Sequence, residues 1–522
     1  MQTTVTLTRL GAAELASSIA AGDVSARDAV DAHIDRIEEV DSQLNAVAVR
    51  RFEEARREAD AADEAQRRGD PCGPLHGVPV TIKDQFDVAG LPTSFGISRL
   101  AERPVERDGP MVAAWREAGA IVLGKTNVPP ALGAIETDNA MFGRTNNPWD
   151  LERTPGGSSG GDAALVAAMA IPLSLGGDLG GSLRIPAAWC GVSSLVSTIP
   201  RLPIDRPPVR TAAGLADAQA GPFARTTADL VLGLRVLVDA IARRPTGLNP
   251  PVPWQDPPET GVVGLRVALL PEIDGFPPSP AIRRALEEAA TALRSAGAVV
   301  EPWASPPDVG EAIALAMRWW TADGGSWLRQ MLDDEKPHPL IKQDVQGAAL
   351  PNAAVRLLGT MLQATGQQRA ARLLRHMRKA SARELSDIQG DRLTYRDTFV
   401  AALDAGRYDL VLCPVTPVPA VPHGSGKYLP DVHTPALLST LIGLPAGVAP
   451  VTRVRAGEES DRIASKDKAI EVARQAEQGS AGLPVGVQVL GRHWREDLVL
   501  AAMQAIETEA TSQPDHPSLP PL

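Results

Sequence analysis

"TPGGSSGGDAALVAAMA", residues Thr154 to Ala170, sets four glycines and two serines directly ahead of an apolar run that reads as a helix. What those glycines serve decides how the rest of the chain is read. A phosphate-cradling loop needs a lysine and then Ser or Thr after its last glycine, but Asp162 follows Gly161 and sets a carboxylate where phosphate would sit. Gly156 to Gly160 also satisfies G-x-S-x-G, yet that elbow requires a strand leading into it. The preceding "NNPWDLERTP" is a proline-bearing loop instead. The histidines that follow, from His338 onward, stand in no recognisable triad context. On the motif alone, a plain flexible turn stays open.

Outward from the motif, short β-rich runs alternate with helical ones. "VPVTIK", "AIVLG" and "IPLSLGGD" read as strands, and Met111–Ala118 and Asp162–Ala170 as helices. Further along come a strand "GLRVALLP", a helix "SPAIRRALEEAATALRSAGA" and a strand "VVEPW". "YDLVLCP" and "VGVQVLG" are late strands, and "EDLVLAAMQAIETEA" is a closing helix. The alternation predicts an α/β fold, a mixed twisted β-sheet with helices on both faces. Residues 1–70 read as a helical lead-in packed on the core, two or three helices between Ala12 and Arg68, with Asp23 or Ser25 as a capping candidate. Asn249–Pro258 is a Pro-rich loop, Asp461–Glu477 reads as a solvated helix, and residues 506–522 read as a disordered tail.

Composition bounds the partners. With 522 residues, 44% of them hydrophobic, the chain can bury a large core. A net charge of −11 gives no long-range attraction for nucleic acid or an anionic bilayer, so a small-molecule partner is expected and no nucleic acid. Cys72, Cys190 and Cys413 lack metal-ligand or disulfide spacing and read as core thiols of a reduced compartment. The amino terminus lacks the pattern of a secretory signal, and no apolar run reaches membrane-spanning length, so a cytoplasmic location is expected.

A second glycine-serine element, "LGGDLGGSLRIPAAWCG" (Leu175–Gly191), and the lysine of "VPVTIKDQFDVAG" change the reading of the first. Together, Lys83, "GGSSGG" and "GGDLGGSLRIPA" closely resemble the amidase signature family. "GRTNNPWD", "GPFARTTADL", "YDLVLCPVTPVPA", "GLPAGVAPVTRV" and "GLPVGVQVLG" extend the likeness from about Leu75 to the last helix. "ADGGSWL" and "GLPVGVQVLGRHWREDLVL" resemble most the fatty acid amide hydrolase branch. The resemblance implies one amidase signature domain over residues 71–505, with 335–385 as lid or cap helices.

Amide hydrolysis needs a nucleophile, a base that returns a proton to the leaving nitrogen, and donors for the oxyanion. By resemblance Ser182 is the nucleophile, Ser158 the bridging serine and Lys83 the base, with the Gly157–Ser158 peptide cis. A lysine serves as a base only when neutral, so its pKa must fall; arginine cannot replace it, because it keeps its proton. A lysine beside an aspartate is ordinarily a surface residue, but Lys83 follows the apolar "VPVTI", which favours burial. The resemblance implies an oxyanion hole of the backbone N–H groups of Leu179, Gly180, Gly181 and Ser182. It also implies a supporting set of Ser159, Asp178 and Arg184.

Gly133 stands where the eukaryotic fatty acid amide hydrolases carry a bulky aromatic residue, and its neighbour Leu132 is expected on the acyl side, so a wider pocket is expected. After the signature, "GVSSLVSTIPRLP" departs from the usual G-x-x-G-L-K-P-T. Ala353–Ala380, basic and amphipathic, falls where that branch has its membrane-binding cap; a mobile lid is the preferred expectation, with membrane association at most peripheral.

These features predict a serine hydrolase that cleaves C–N bonds of small carboxylic amides, with esters and carbamates as further substrates, through an acyl-enzyme. No metal or cofactor is implied. The alternative is the amidase-type subunit of a glutamine-dependent tRNA amidotransferase. A homodimer is common among such enzymes, and the oligomeric state stays open.

Overall fold

Strand after strand places its odd and even residues in different company. In Leu410–Pro414, Leu410 and Leu412 join one apolar cluster while Val411 and Cys413 join another. Val267 and Leu269 likewise separate from Ala268 and Leu270. Side chains on a strand alternate between the two faces of its sheet, so a strand apolar at every position must be covered on both. The computed structural model describes residues 7–70, 72–202, 204–205, 217–244, 249–273, 276–429 and 432–522, and it has this architecture.

The strands are β1 (Val47–Arg50), β2 (Pro79–Lys83), β3 (Ile121–Thr126), β4 (Asp138–Asn139), β5 (Gly143–Arg144), β6 (Leu173–Asp178), β7 (Ser193–Val196), β8 (Gln219–Ala224), β9 (Arg266–Leu269), β10 (Val299–Pro302), β11 (Leu410–Pro414), β12 (Ala446–Arg453) and β13 (Pro484–Gly491). Eleven of them form one mixed sheet in the order β1-β3-β2-β6-β8-β7-β12-β13-β11-β9-β10. β3, β2 and β6 run parallel, as do β11, β9 and β10, and antiparallel pairs join the two groups. One face is covered by the helices Pro110–Glu117, Thr227–Arg243, Pro280–Ser295 and Glu496–Ala510. The other carries Ala26–Leu44, Phe52–Arg68, Gly160–Ala167, Val309–Thr321 and Thr434–Ile442. The α/β fold expected from the alternation is the fold observed.

Several local expectations change. The lead-in is not wholly helical: between its second and third helices β1 pairs antiparallel with β3 and extends the sheet. Of the two capping candidates, Ser25 caps the Ala26–Leu44 helix by accepting the Asp28 N–H. The Gly160–Ala167 helix starts two residues earlier and stops three earlier than the pattern predicts, and Met169 leaves it at φ 56°. The Lys468–Glu477 helix is not simply solvated: Ala469, Ala473, Ala476 and Glu477 are buried, and the Glu477 carboxylate meets Arg462 at 2.8 Å. The tail expected to be disordered instead packs on the body. Asp515 pairs with Arg455 at 2.7 Å, and Leu522 lies against the second apolar cluster. Cys190 and Cys413 are core thiols, whereas Cys72 is exposed, because the segment that carries it has no strand or helix to bury it. Among the described residues, no helix is long and apolar enough to cross a membrane.

Candidate active site

β2 ends at Lys83 on the face away from the apolar cluster that takes Val80 and Ile82. Its side chain is fully buried, and Nζ donates to Ser158 Oγ at 2.8 Å and to the Gly177 carbonyl at 3.0 Å. Burial pushes the amine down to about 7 against the opposing fields of Asp162 and Asp178. Asp84, the adjacent carboxylate, is turned elsewhere: it pairs with buried Lys125 at 2.7 Å and accepts from Ser94. Lys83 is thus not the solvated partner of Asp84.

Ser158 follows a cis Gly157–Ser158 peptide, and the Gly160–Ala167 helix begins just beyond it. The glycines have a packing reason. A Cβ at Gly157 would lie 2.7 Å from the Ala134 carbonyl oxygen, and one at Gly161 2.6 Å from the Asn127 amide nitrogen. GGSSGG is therefore a rigid, crowded segment rather than a flexible turn.

The second glycine-serine element leaves the end of β6 and enters the Arg184–Cys190 helix. Ser159 joins the two elements: its N–H donates to the Ser182 carbonyl at 3.2 Å, and its Oγ to the Gly177 carbonyl at 3.3 Å. Ser182 itself is half-buried, as are Leu179 and Gly180, so the chain opens to solvent at this point.

Asp178 and Arg184 are both buried and paired, with Arg184 Nη2 at 2.8 Å and Nε at 3.0 Å from the carboxylate. Asp178 also accepts the N–H groups of Gly181 at 2.8 Å and Leu183 at 2.9 Å. Burial alone would raise its pKa, but Arg184 and these two amides hold it below the usual carboxylate range. Arg184 reaches on to the Ala436 carbonyl, Ser439 and Gln488, locking the loop to β13 and to the Thr434–Ile442 helix.

Of the four amides expected in the oxyanion loop, one already has an acceptor. The Gly181 N–H is spent on Asp178 and is not offered to solvent. The N–H groups of Leu179, Gly180 and Ser182 have no hydrogen-bond partner among the described residues. Gly181 serves the turn itself, at φ 110°, and a Cβ there would lie 2.8 Å from Ile185 Cδ1 and 2.9 Å from Ala436 Cβ.

Leu132 and Gly133 lie in a third apolar cluster with Phe95, Ile97, Leu328 and Ile341. The wider pocket expected at Gly133 is partly filled: a Cβ there would meet Ile341 Cγ2 at 3.3 Å and Leu328 Cδ1 at 3.9 Å. Space vacated at one position is taken up by side chains from a distant segment.

Two neighbours of the site escape the sequence reading. The Trp320 indole covers Gly180 so closely that a Cβ would lie 2.4 Å from Cη2, and it packs against His433. Nothing in "RWWTADGG" ties it to a motif so far upstream in the chain. Burial pushes His433 down to about 4, and no histidine among the described residues hydrogen-bonds to Ser158 or Ser182. The other is Asp162, read in the sequence only as what excludes a phosphate loop, which is fully buried in the first turn after the serines.

The chain is also similar to known proteins over most of its length. The chain is 33% identical over 450 residues to a fatty-acid amide hydrolase 1 of Sus scrofa, covering 83% of this chain and 76% of the relative. It is 32% identical over 504 residues to a subunit of the glutamyl-tRNA(Gln) amidotransferase of Chromohalobacter salexigens, covering 93% and 94% of the two chains. A solved fatty acid amide hydrolase shares the fold with a TM-score of 0.83 at 24% identity, covering 98% of this chain and 86% of that one. The family described as Amidase matches residues 28–500, and the chain belongs to it.

Proposed function

We propose that the protein is a serine hydrolase of small carboxylic amides working through a Ser-Ser-Lys relay. The observation that carries this reading is the buried Lys83 amine, 2.8 Å from Ser158 Oγ and lowered to about 7, where a neutral fraction exists near neutral pH. Neutral Lys83 takes the Ser158 proton as Ser158 takes that of Ser182, and Ser182 Oγ attacks the amide carbonyl. The N–H groups of Leu179, Gly180 and Ser182 stabilise the oxyanion, and the proton passes back along the relay to the leaving nitrogen. Water then cleaves the acyl-enzyme by the same route. Asp178 and Arg184 hold the loop in shape, and Ser159 ties its two halves together.

The apolar cluster beside Leu132 and Gly133 favours an apolar acyl group, and esters and carbamates with such a group would enter the same acyl-enzyme. Residues 335–385, with Ile341 reaching Gly133, serve as a cap over that side. A fluorophosphonate probe tests the assignment: it labels Ser182 in the wild type and nothing in Ser182→Ala. Labelling at another residue overturns it.

The similarity to amidotransferase subunits supports a second reading, in which the chain works with partner proteins and glutamine-derived ammonia. Glutaminase activity of the isolated chain, together with copurifying partners, would favour it over the stand-alone enzyme.

A further inference from the structure

The segment that carries Ile341 to Gly133 turns on a histidine. In "KPHPL", residues 336–340, His338 stands between Pro337 and Pro339, which stiffen the backbone on both sides of it. The His338 carbonyl accepts the Ile341 N–H at 3.0 Å, so the imidazole and Ile341 belong to one turn. The two ring nitrogens face different partners. Nδ1 accepts the Leu340 N–H at 3.4 Å, and Nε2 lies 3.8 Å from Asp138 Oδ1. Asp138 opens β4, five residues after Gly133, and its neighbour Thr137 donates to the Gly156 carbonyl at 2.8 Å. The turn bearing Ile341 is therefore set opposite a carboxylate whose own strand is anchored to the GGSSGG segment.

We propose that His338 and Asp138 are positioning residues that set the room left to the acyl group beside Gly133, and that their pairing makes this selectivity depend on pH. The inference rests on the reading of Leu132 and Gly133 as the acyl side. Neutral His338 keeps Nδ1 unprotonated to accept from Leu340, which leaves the Nε2–H facing Asp138 beyond hydrogen-bond reach. Protonation makes both nitrogens donors, ends the long bond from Leu340 and adds attraction to the carboxylate. The turn then closes toward β4 and holds Ile341 more firmly against Gly133. The surrounding charges leave this pairing open. Arg144 lies opposite Asp138 on β5 and competes for it, but forms no ion pair with it among the described residues. Burial raises the Asp138 carboxyl, while His338 and Arg144 oppose that shift. On the histidine's own segment, Glu335 accepts from the Ser98 N–H at 3.0 Å and hydroxyl at 3.1 Å, and Asp334, Lys336 and Lys342 are exposed. Arg99, from the Ser98–Leu100 turn, is taken up by the Gln330 and Met331 carbonyls at 2.8 Å.

The test is the ratio of kcat/KM for a bulky, branched acyl anilide to that for acetanilide, followed from about pH 6 to about pH 8.5. Protonation of Lys83 scales both rates alike and cancels from the ratio. In the wild type the ratio should fall about threefold toward the acidic end, the size of effect a half-exposed ion pair supports. In His338→Gln and in Asp138→Asn it should stay level. A level ratio in the wild type, or a slope that persists in either folded variant, overturns the proposal; if one variant does not fold, the other decides. Amide hydrogen exchange of residues 339–345, compared at equal pH, reads the pair without turnover. Near pH 6 it should be about threefold faster in Asp138→Asn than in the wild type, and near pH 8.5 the two should agree. Equal exchange at both ends also overturns the proposal. The underlying reading fails separately: probe labelling that persists in Ser182→Ala removes the relay, and a ratio unmoved by Ile341→Ala removes the acyl side, yet both leave the exchange comparison standing.

Discussion

The Lys83 amine sits 2.8 Å from the Ser158 hydroxyl with no carboxylate paired to it directly among the described residues. An ammonium ion held this way is poorly solvated, and its neutral form is the one the site accommodates best.

The pH dependence follows from that balance. Lys83 titrates well below the ordinary lysine range, lowered from 10.5 to about 7, so it is deprotonated above about pH 7 and takes up a proton below it. With Lys83 as the proposed base, activity should be present above the lowered pKa and lost as pH falls through it, about tenfold per unit on the acidic side. Lys83→Arg, which cannot reach a neutral state, loses about a thousandfold or more in kcat. A kcat/KM profile of both proteins checks this.

Asp178→Ala leaves the Arg184 guanidinium buried without its counter-charge and the Gly181 and Leu183 amides without an acceptor. Breaking one side of a buried pair costs about 3–5 kcal/mol. Denaturant unfolding would show a lower midpoint, and kcat would fall because the loop that presents Ser182 loses its tether.

Gly180→Ala sets a methyl group 2.4 Å from the Trp320 ring and should displace the loop. With the Gly180 N–H as a proposed oxyanion donor, its misplacement should cost about a hundredfold in kcat. Trp320→Ala removes the obstructing ring, so the double variant recovers activity relative to Gly180→Ala alone. Additive losses in this double-mutant comparison would show that the ring contact is not the cause.

Ile341→Ala opens the space beside Gly133 that the side chain now fills. The ratio of kcat/KM for bulky over small acyl anilides should rise about tenfold or more, the size of effect one or two methylenes produce in an apolar pocket.

Thiol titration separates the cysteines. The native protein should react rapidly at Cys72 alone, whereas Cys190 and Cys413 become reactive only on unfolding. Burial also raises both core thiols, Cys413 to about 12, so neither has an appreciable thiolate population near neutral pH.

Much of the fold is legible in the sequence because it is local. Strands such as Leu410–Pro414 and helices such as Glu496–Ala510 carry their period in neighbouring residues, and the two glycine-serine elements lie close together in the chain. The strands that the pattern does not reveal, Val47–Arg50, Asp138–Asn139, Gly143–Arg144, Ser193–Val196, Gln219–Ala224 and Ala446–Arg453, are short or interrupted by glycine and proline, and pairing with neighbouring strands is what makes them strands.

By itself, the sequence determined the α/β class, the family likeness and the residue types of the candidate site: a lysine after an apolar strand, serines among glycines, an aspartate and arginine flanking the second motif. Only the tertiary structure decided how those groups are charged and which amides remain to be offered. Desolvation of Lys83, the commitment of the Gly181 N–H to Asp178, the Trp320 ring over Gly180 and the Ile341 side chain against Gly133 all depend on segments brought together from far apart in the chain. Proton affinity and steric room are set by every atom within a few ångströms, and sequence order does not specify which atoms those are.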